Sequence, residues 1–206
     1  MYKRQEYIID GARLAKENGL FTNIVTNGSM SCEALDVLGP FLDVYRVDIK
    51  GFSEDTYFRI ARLKNYREIL DTVIVAKHKW RMHVEVVTNV IPGLNDDAGE
   101  LASLARWIAD NLDCNTPWHI TRFYPAYKLS DSKPTAIAFL ESVREKALSA
   151  GLRFVYLGNV YLHQAENTWC PGCGALLIER RGIWFKRSNI VSGRCPECGA
   201  KIPVVC

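Results

Sequence analysis

Apolar residues recur along this chain first at helical spacing and then in alternation, and the two patterns take turns. In residues 5–18, Ile8, Ile9, Ala12 and Ala15 fall on one stripe and Gly19 follows as a stop, which predicts a helix. Residues 21–26 form a short β-rich run closed by Asn27-Gly28. Ser31 is placed to cap a second helix over 31–38. Residues 43–49 (DVYRVDI) read as the next strand, and Ser53 opens a helical stretch that runs, with a break, to about residue 79. Residues 82–91 (MHVEVVTNVI) are the clearest strand and end in the turn Pro92-Gly93-Leu94-Asn95-Asp96. Asp96 or Asp97 begins a helix carrying Leu101, Leu104, Ala105 and Ile108. A strand over 119–123, a helix over 134–150 stopped by Gly151, and a strand over 153–157 complete the series.

Five strands alternating with helices predict an α/β protein with a parallel sheet. The strands are not uniformly apolar. Asp43, Arg46, Asp48, Glu85, Thr88, Asn89, His119 and Arg122 interrupt them, which points to a barrel or open sheet with a polar, ligand-holding centre. Ligands in such folds bind at the C-terminal ends of the strands. Residues 158–169 read as a linker into a separate C-terminal module.

That module carries the strongest chemical signal. Cys170-Pro171-Gly172-Cys173 and Cys195-Pro196-Glu197-Cys198 are matched pairs, each followed by glycine and separated by 21 residues. Four thiolates at this spacing converge on one tetrahedral ion, with Zn²⁺ the usual occupant and iron in a rubredoxin-like site the other. Between the pairs, Leu176-Leu177-Ile178 and Ile183-Trp184-Phe185 read as the arms of a hairpin around Arg180-Arg181-Gly182. So small a ribbon has little core, so the metal is expected to contribute to its folding.

Composition narrows the picture only a little. The 206 residues are 48% hydrophobic and 24% charged, ordinary values that fit one medium domain plus a small module. No apolar run reaches the roughly 20 residues of a membrane span, and Met1–Glu6 leads into no signal-like segment. Seven cysteines, four of them in metal spacing, favour a reducing cytoplasm over a disulfide framework. The net charge of +3 argues for no partner. Residues 170–206 hold Arg180, Arg181, Lys186, Arg187, Arg194 and Lys201 against Glu179 and Glu197. A basic tail of this size is read more simply as solvated side chains than as a nucleic-acid surface.

Outside the ribbon, Asp48 and Lys50 are two apart at a strand end and project to one side. Such a pair suits an amino-acid-like or ribose-bearing ligand, and a purely structural ion pair is the competing reading. Thr26-Asn27-Gly28 offers an amide and a glycine, and Asn89 stands at a third strand end. His119 and Arg122 point to opposite faces of one strand, and Tyr124 and Tyr127 are candidates for a pocket mouth. Cys32, Cys114 and Cys206 form no cluster, and the chain contains no phosphate-cradling glycine motif.

Taken in order, TNG (26–28), VDIKG (47–51), VTNVIPGLND (87–96), WHITRFYPAYK (118–128), GNV (158–160), ENTWCPGCGALLIERRG (166–182) and CPECG (195–199) resemble one family over essentially the whole chain. It is the radical S-adenosylmethionine (SAM) enzyme of the AmmeMemoRadiSam system, related to pyruvate formate-lyase activating enzyme. The resemblance implies a partial (β/α)6 barrel over 1–160, then a linker and zinc ribbon over 161–206. It implies reductive cleavage of SAM at a [4Fe-4S] cluster and hydrogen abstraction from an unidentified substrate, a protein being one class. Asp48 and Lys50, with Asn27, carry over as SAM contacts; no catalytic residue carries over.

The family's CxxxCxxC and GGEPT-like segments are absent from this sequence. The expectation is therefore of a C-terminal portion, inactive alone, whose start is a truncated gene, an internal start or one half of a split protein, an N-terminal fragment supplying CxxxCxxC in the last case. Two positions depart from the pattern: Val25 stands where some activating enzymes have Asp, and Tyr127 where they have His. A half-barrel is also expected to expose an unpaired strand edge and an apolar side, with marginal solubility or self-association as the consequence. The alternative is a non-catalytic scaffold whose zinc ribbon docks a protein or nucleic acid.

Overall fold

The computed structural model describes residues 5–182 and 184–205. Met1, Ile183 and Cys206 lie outside the described residues. Two sheets organise the chain. The larger has five parallel strands, β1 (Asn23–Thr26), β2 (Val44–Asp48), β3 (His83–Val90), β4 (Trp118–Arg122) and β5 (Val155–Gly158), in sequential order. Among the described residues six α-helices accompany them: α1 (Gln5–Glu17), α2 (Cys32–Leu38), α3 (Glu54–Ala61), α4 (Arg67–His78), α5 (Ala98–Asn111) and α6 (Ile137–Ser149). The smaller sheet is antiparallel, in the order β6 (Thr168–Trp169), β7 (Leu176–Arg181), β8 (Trp184–Ser188). Residues 168–169 are thus no mere linker: they supply a ribbon strand. Arg180 and Arg181, read as part of a turn, belong to β7.

Helix starts follow local chemistry. Ser31 Oγ accepts from Ala34 N–H, Ser53 Oγ from Thr56 N–H, and Asp97 Oδ1 from Glu100 N–H, each satisfying an amide that the helix leaves unpaired. The break in the 54–78 stretch falls after Arg62, which closes α3 in the left-handed region at φ 56°.

The period-2 alternation of the strands sorts the sheet into two unlike faces. Val47, Val86, Trp118 and Val155 lie side by side in register and are buried with the helices. Trp118 is fully buried, and its indole N–H donates to Thr88 Oγ1 at 3.0 Å. That bond removes the cost of burying the one polar atom of the ring. The other face carries Arg46, Asp48, Glu85, Asn89, His119, Thr121 and Tyr156 at the alternate positions. The ribbon covers the β4–β5 end of this polar face. Phe154, just before β5, is buried with Cys170, Leu177, Cys195 and Ile202 in a second, smaller core.

At the opposite end β1 pairs, among the described residues, only with β2, and Phe21 and Val25 beside this edge are 61% and 63% exposed. No helix among the described residues is long and apolar enough to cross a membrane.

Candidate metal centre and ligand cavity

Two matching turns build the candidate metal centre. Gly174 N–H donates to Cys170 O, and Gly199 N–H to Cys195 O, both at 2.9 Å. Both glycines sit in the left-handed region, at φ 74° and 73°, which explains why each pair is followed by glycine. The turns face each other. All four thiol sulfurs lie within 4.8 Å of one another, with Cys170 to Cys198 at 3.5 Å and Cys173 to Cys195 at 3.7 Å. A tetrahedron of 2.3 Å metal–sulfur bonds places its sulfurs roughly 3.8 Å apart, so the residues fit a single tetrahedral ion. Burial raises the Cys170 pKa, but the N–H groups of Cys173 and Gly172 outweigh it and bring the thiol to about 7. Cys173 accepts from the Ala175 N–H, yet burial and the neighbouring thiols push it up to about 12. Four thiols this close resist ionising together, and a cation removes that conflict.

The second centre lies at the C-terminal ends of β2 and β3. Lys50 Nζ donates to Asp48 Oδ2 at 2.8 Å, with side chains 29% and 38% exposed. Both heads are therefore open to a ligand. Asn95, which is buried, joins the two strand ends: its amide donates to Lys50 O at 2.7 Å and Asn89 O at 2.8 Å, and its Oδ1 accepts from Ile91 N–H. Glu100 of α5 fixes the next turn, accepting from Phe52 N–H, Ser53 Oγ and Thr56 Oγ1. Gly28, at φ 74°, lies against Val47 and Ile69, where a Cβ would stand 2.5 Å from Ile69 Cγ2. Asn27 is exposed beside it, and its Oδ1 accepts from Ser29 N–H.

Between these centres, the polar face of the sheet and the ribbon enclose two adjoining cavities. The lower, about 320 Å³, lies at the N-terminal ends of the strands and contains His83 and Glu85. The upper, about 690 Å³, reaches from Arg46 to Tyr124 and Asn159. His119, Tyr156 and Arg180 line both. Glu85 stands between two imidazoles, 3.5 Å from His83 Nε2 and 3.4 Å from His119 Nε2. Burial alone would raise its pKa; the two histidines overcome that and hold the carboxyl well below its ordinary value. The His119 contact is an ion-pair distance, because its Nε2 has no hydrogen-bond partner of good geometry among the described residues. Arg180 of β7 reaches in from the ribbon, donating to Thr168 Oγ1 at 2.8 Å and Glu166 O at 3.2 Å, with its guanidinium 5.5 Å above the Tyr156 ring. Burial raises the Tyr156 pKa and keeps the phenol neutral.

The structure brings His119 into the cavity and turns Arg122 to the other face, where it donates to Thr135 O. Tyr124 lines the upper cavity, but Tyr127 is 85% exposed and lies outside it. Sequence reasoning missed Asn95, Glu100, Glu85 as the partner of two histidines, and Arg180. Arg180 lies ten residues beyond the ENTxC approach, and only the hairpin's docking shows where it points. Cys32 and Cys114 are half-buried and belong to no metal-binding cluster among the described residues. Among the described residues the ribbon tetrad is the one cluster with the geometry to hold a metal.

No family model matches the chain. It is 40% identical over 202 residues to an uncharacterized protein, MJ0808, of Methanocaldococcus jannaschii. That alignment covers 97% of this chain, which spans 59% of the length of that relative. Among solved structures, the chain shares its fold with a domain of pyruvate-formate lyase-activating enzyme from Bacteroides vulgatus (TM-score 0.62, 15% identity, 75% of this chain and 91% of that one). It also shares it with a radical SAM methyltransferase from Sphaerobacter thermophilus (TM-score 0.56, 15% identity, 69% and 43%). A third is TYW1 solved with a lysine-pyruvate adduct (TM-score 0.51, 16% identity, 69% and 45%).

Proposed function

We propose that this chain is the C-terminal portion of a radical SAM enzyme of the AmmeMemoRadiSam group, with Asp48, Lys50 and Asn27 contacting SAM and the cysteine tetrad holding zinc. The observation that carries this reading is the Asp48–Lys50 pair. It stands at a strand end on the polar face of a parallel sheet, where such folds bind ligands, and its two charges match the zwitterionic and hydroxyl-rich parts of SAM. Shared fold with activating and radical SAM enzymes supports it. Together with a reduced [4Fe-4S] cluster, SAM supplies a carbon-centred radical that abstracts hydrogen from a substrate. The described residues hold no second cysteine set for a cluster, so on this reading residues outside this sequence ligate it.

What this chain contributes is placement. Asn95 and Glu100 fix the turn that carries Lys50. Asp48 offers an acceptor to hydroxyl or ammonium donors, and Lys50 a cation to a carboxylate. The ribbon walls off the far end of the polar face. The test is equilibrium binding of SAM to the metal-loaded chain, with Asp48→Asn and Lys50→Met as variants. Saturable binding weakened in both supports the reading. Absence of SAM binding by a well-folded chain, alone and when co-expressed with a CxxxCxxC-bearing segment, overturns it in favour of a ribbon scaffold.

A further inference from the structure

We propose that the upper cavity is an anion-binding site in which Arg46 of the sheet and Arg180 of the ribbon take one carboxylate or phosphate group of the substrate. Arg46 is half-buried on β2, one step below Asp48 on the same face. It stands in register with Glu85 on β3, yet the two do not pair. Glu85 faces His83 and His119, and Asp48 is engaged by Lys50. Both carboxylates of this face are therefore occupied, and Arg46 has no ion pair or hydrogen bond among the described residues. A partly desolvated guanidinium without a counter-charge is costly unless a ligand provides one.

Arg180 faces the same cavity from the opposite wall. One of its nitrogens, Nη1, is committed to Glu166 O and Thr168 Oγ1; the remaining guanidinium N–H groups make no hydrogen bond among the described residues. Glu166 also lines the cavity, with Oε2 accepting from Gly182 N–H. The lining then carries two guanidiniums against one carboxylate. Fixed N–H forks from two sides recognise the planar or tetrahedral oxygens of an anion, and Tyr124 and Tyr156 provide walls for an apolar or aromatic body. The ribbon on this view is part of the substrate site, since folding around its metal places Arg180. Assigning the anion to the substrate rests on the radical SAM reading; the binding site itself does not.

The experiment titrates the metal-loaded chain with phenyl phosphate and, separately, phenylacetate, which carry the two kinds of anion one atom from the same ring, and with benzyl alcohol as the neutral control. The expected result is saturable binding of at least one anion and none of the alcohol. The probe that binds more tightly identifies the anion class. Arg46→Met and Arg180→Met should each weaken it by roughly 10- to 100-fold, the usual effect of removing a charged hydrogen-bonding partner. Lys186→Met, on the exposed strand β8, should leave it unchanged. Arg46→Lys preserves charge and guards against misfolding: it should retain more affinity than Arg46→Met, at equal circular dichroism. No saturable binding of either anion, or binding that Arg46→Met leaves intact, overturns the proposal. SAM binding, measured in the same samples with Asp48→Asn, fails or survives independently of it.

Discussion

Glu85 and His119 meet across β3 and β4, Oε2 to Nε2 at 3.4 Å; both line the lower cavity, and His119 lines the upper one as well. Because the folded-state pKa of Glu85 is depressed, the carboxylate stabilises the fold above its ordinary value of 4.5, and that contribution is lost as the pH falls below 4.5 toward the folded value. Glu85→Gln should cost about 1–3 kcal/mol at neutral pH. The gap between wild type and variant should then narrow in acid. Urea unfolding across this pH range measures it, and a constant gap would show that the carboxylate's charge is not what the site uses.

Gly28 gives a sharper contrast between backbone and packing. It shares positive φ with Gly182, at 74° and 61°, but a Cβ on Gly28 would meet Ile69 Cγ2 at 2.5 Å whereas one on Gly182 meets nothing within 4 Å. Gly182→Ala should cost about 1 kcal/mol, the left-handed strain alone. Gly28→Ala adds overpacking and should cost about 2–4 kcal/mol. Equal losses in thermal unfolding would mean that Ile69 yields without resistance.

The sheet was legible because its strands alternate cleanly: Val84, Val86 and Trp118 face the helices, while Glu85 and His119 do not. The cysteine tetrad was legible because its members are local pairs with glycines that the turns require. The cavity was not. Arg46 and Arg180 are 134 residues apart, and nothing local to either shows that the ribbon folds back over the polar face. That placement depends on Phe154, Leu177 and Ile202 sharing a small core, a tertiary contact without a sequence period. Boundaries slipped for a similar reason: residues 168–169 become a strand only because Ile178 and Leu176 lie opposite them.

Asn95 carries a prediction about positioning. Its amide is buried and makes bonds to Ile91 N–H, Lys50 O and Asn89 O. Asn95→Ala leaves these backbone groups unpaired and should cost about 2–4 kcal/mol. Asn95→Asp should be no milder, because a carboxylate oxygen would face two carbonyl oxygens. If Asn95 also positions Lys50, SAM binding by the folded Ala variant should weaken while the Asp48–Lys50 charges stay intact. Loss of stability with undiminished SAM binding would confine Asn95 to the fold.

The cysteine tetrad and the five-stranded sheet can be separated by experiment. Cys173 and Cys198 are the exposed members of the tetrad, and Cys170 and Cys195 the buried ones. Cys198→Ser should abolish stoichiometric metal binding, which elemental analysis should find at one ion per wild-type chain, zinc on the present reading. Without the ion, β7 and β8 lose the tie that holds the two turns together, and protease cleavage should appear within residues 170–205. The five-stranded sheet has its own core around Trp118, so its far-ultraviolet signature should persist. Anion binding in the upper cavity should nevertheless fall, since Arg180 is delivered by β7. A metal-free chain that resists cleavage and binds anion normally would show that the sheet contact alone orders the ribbon.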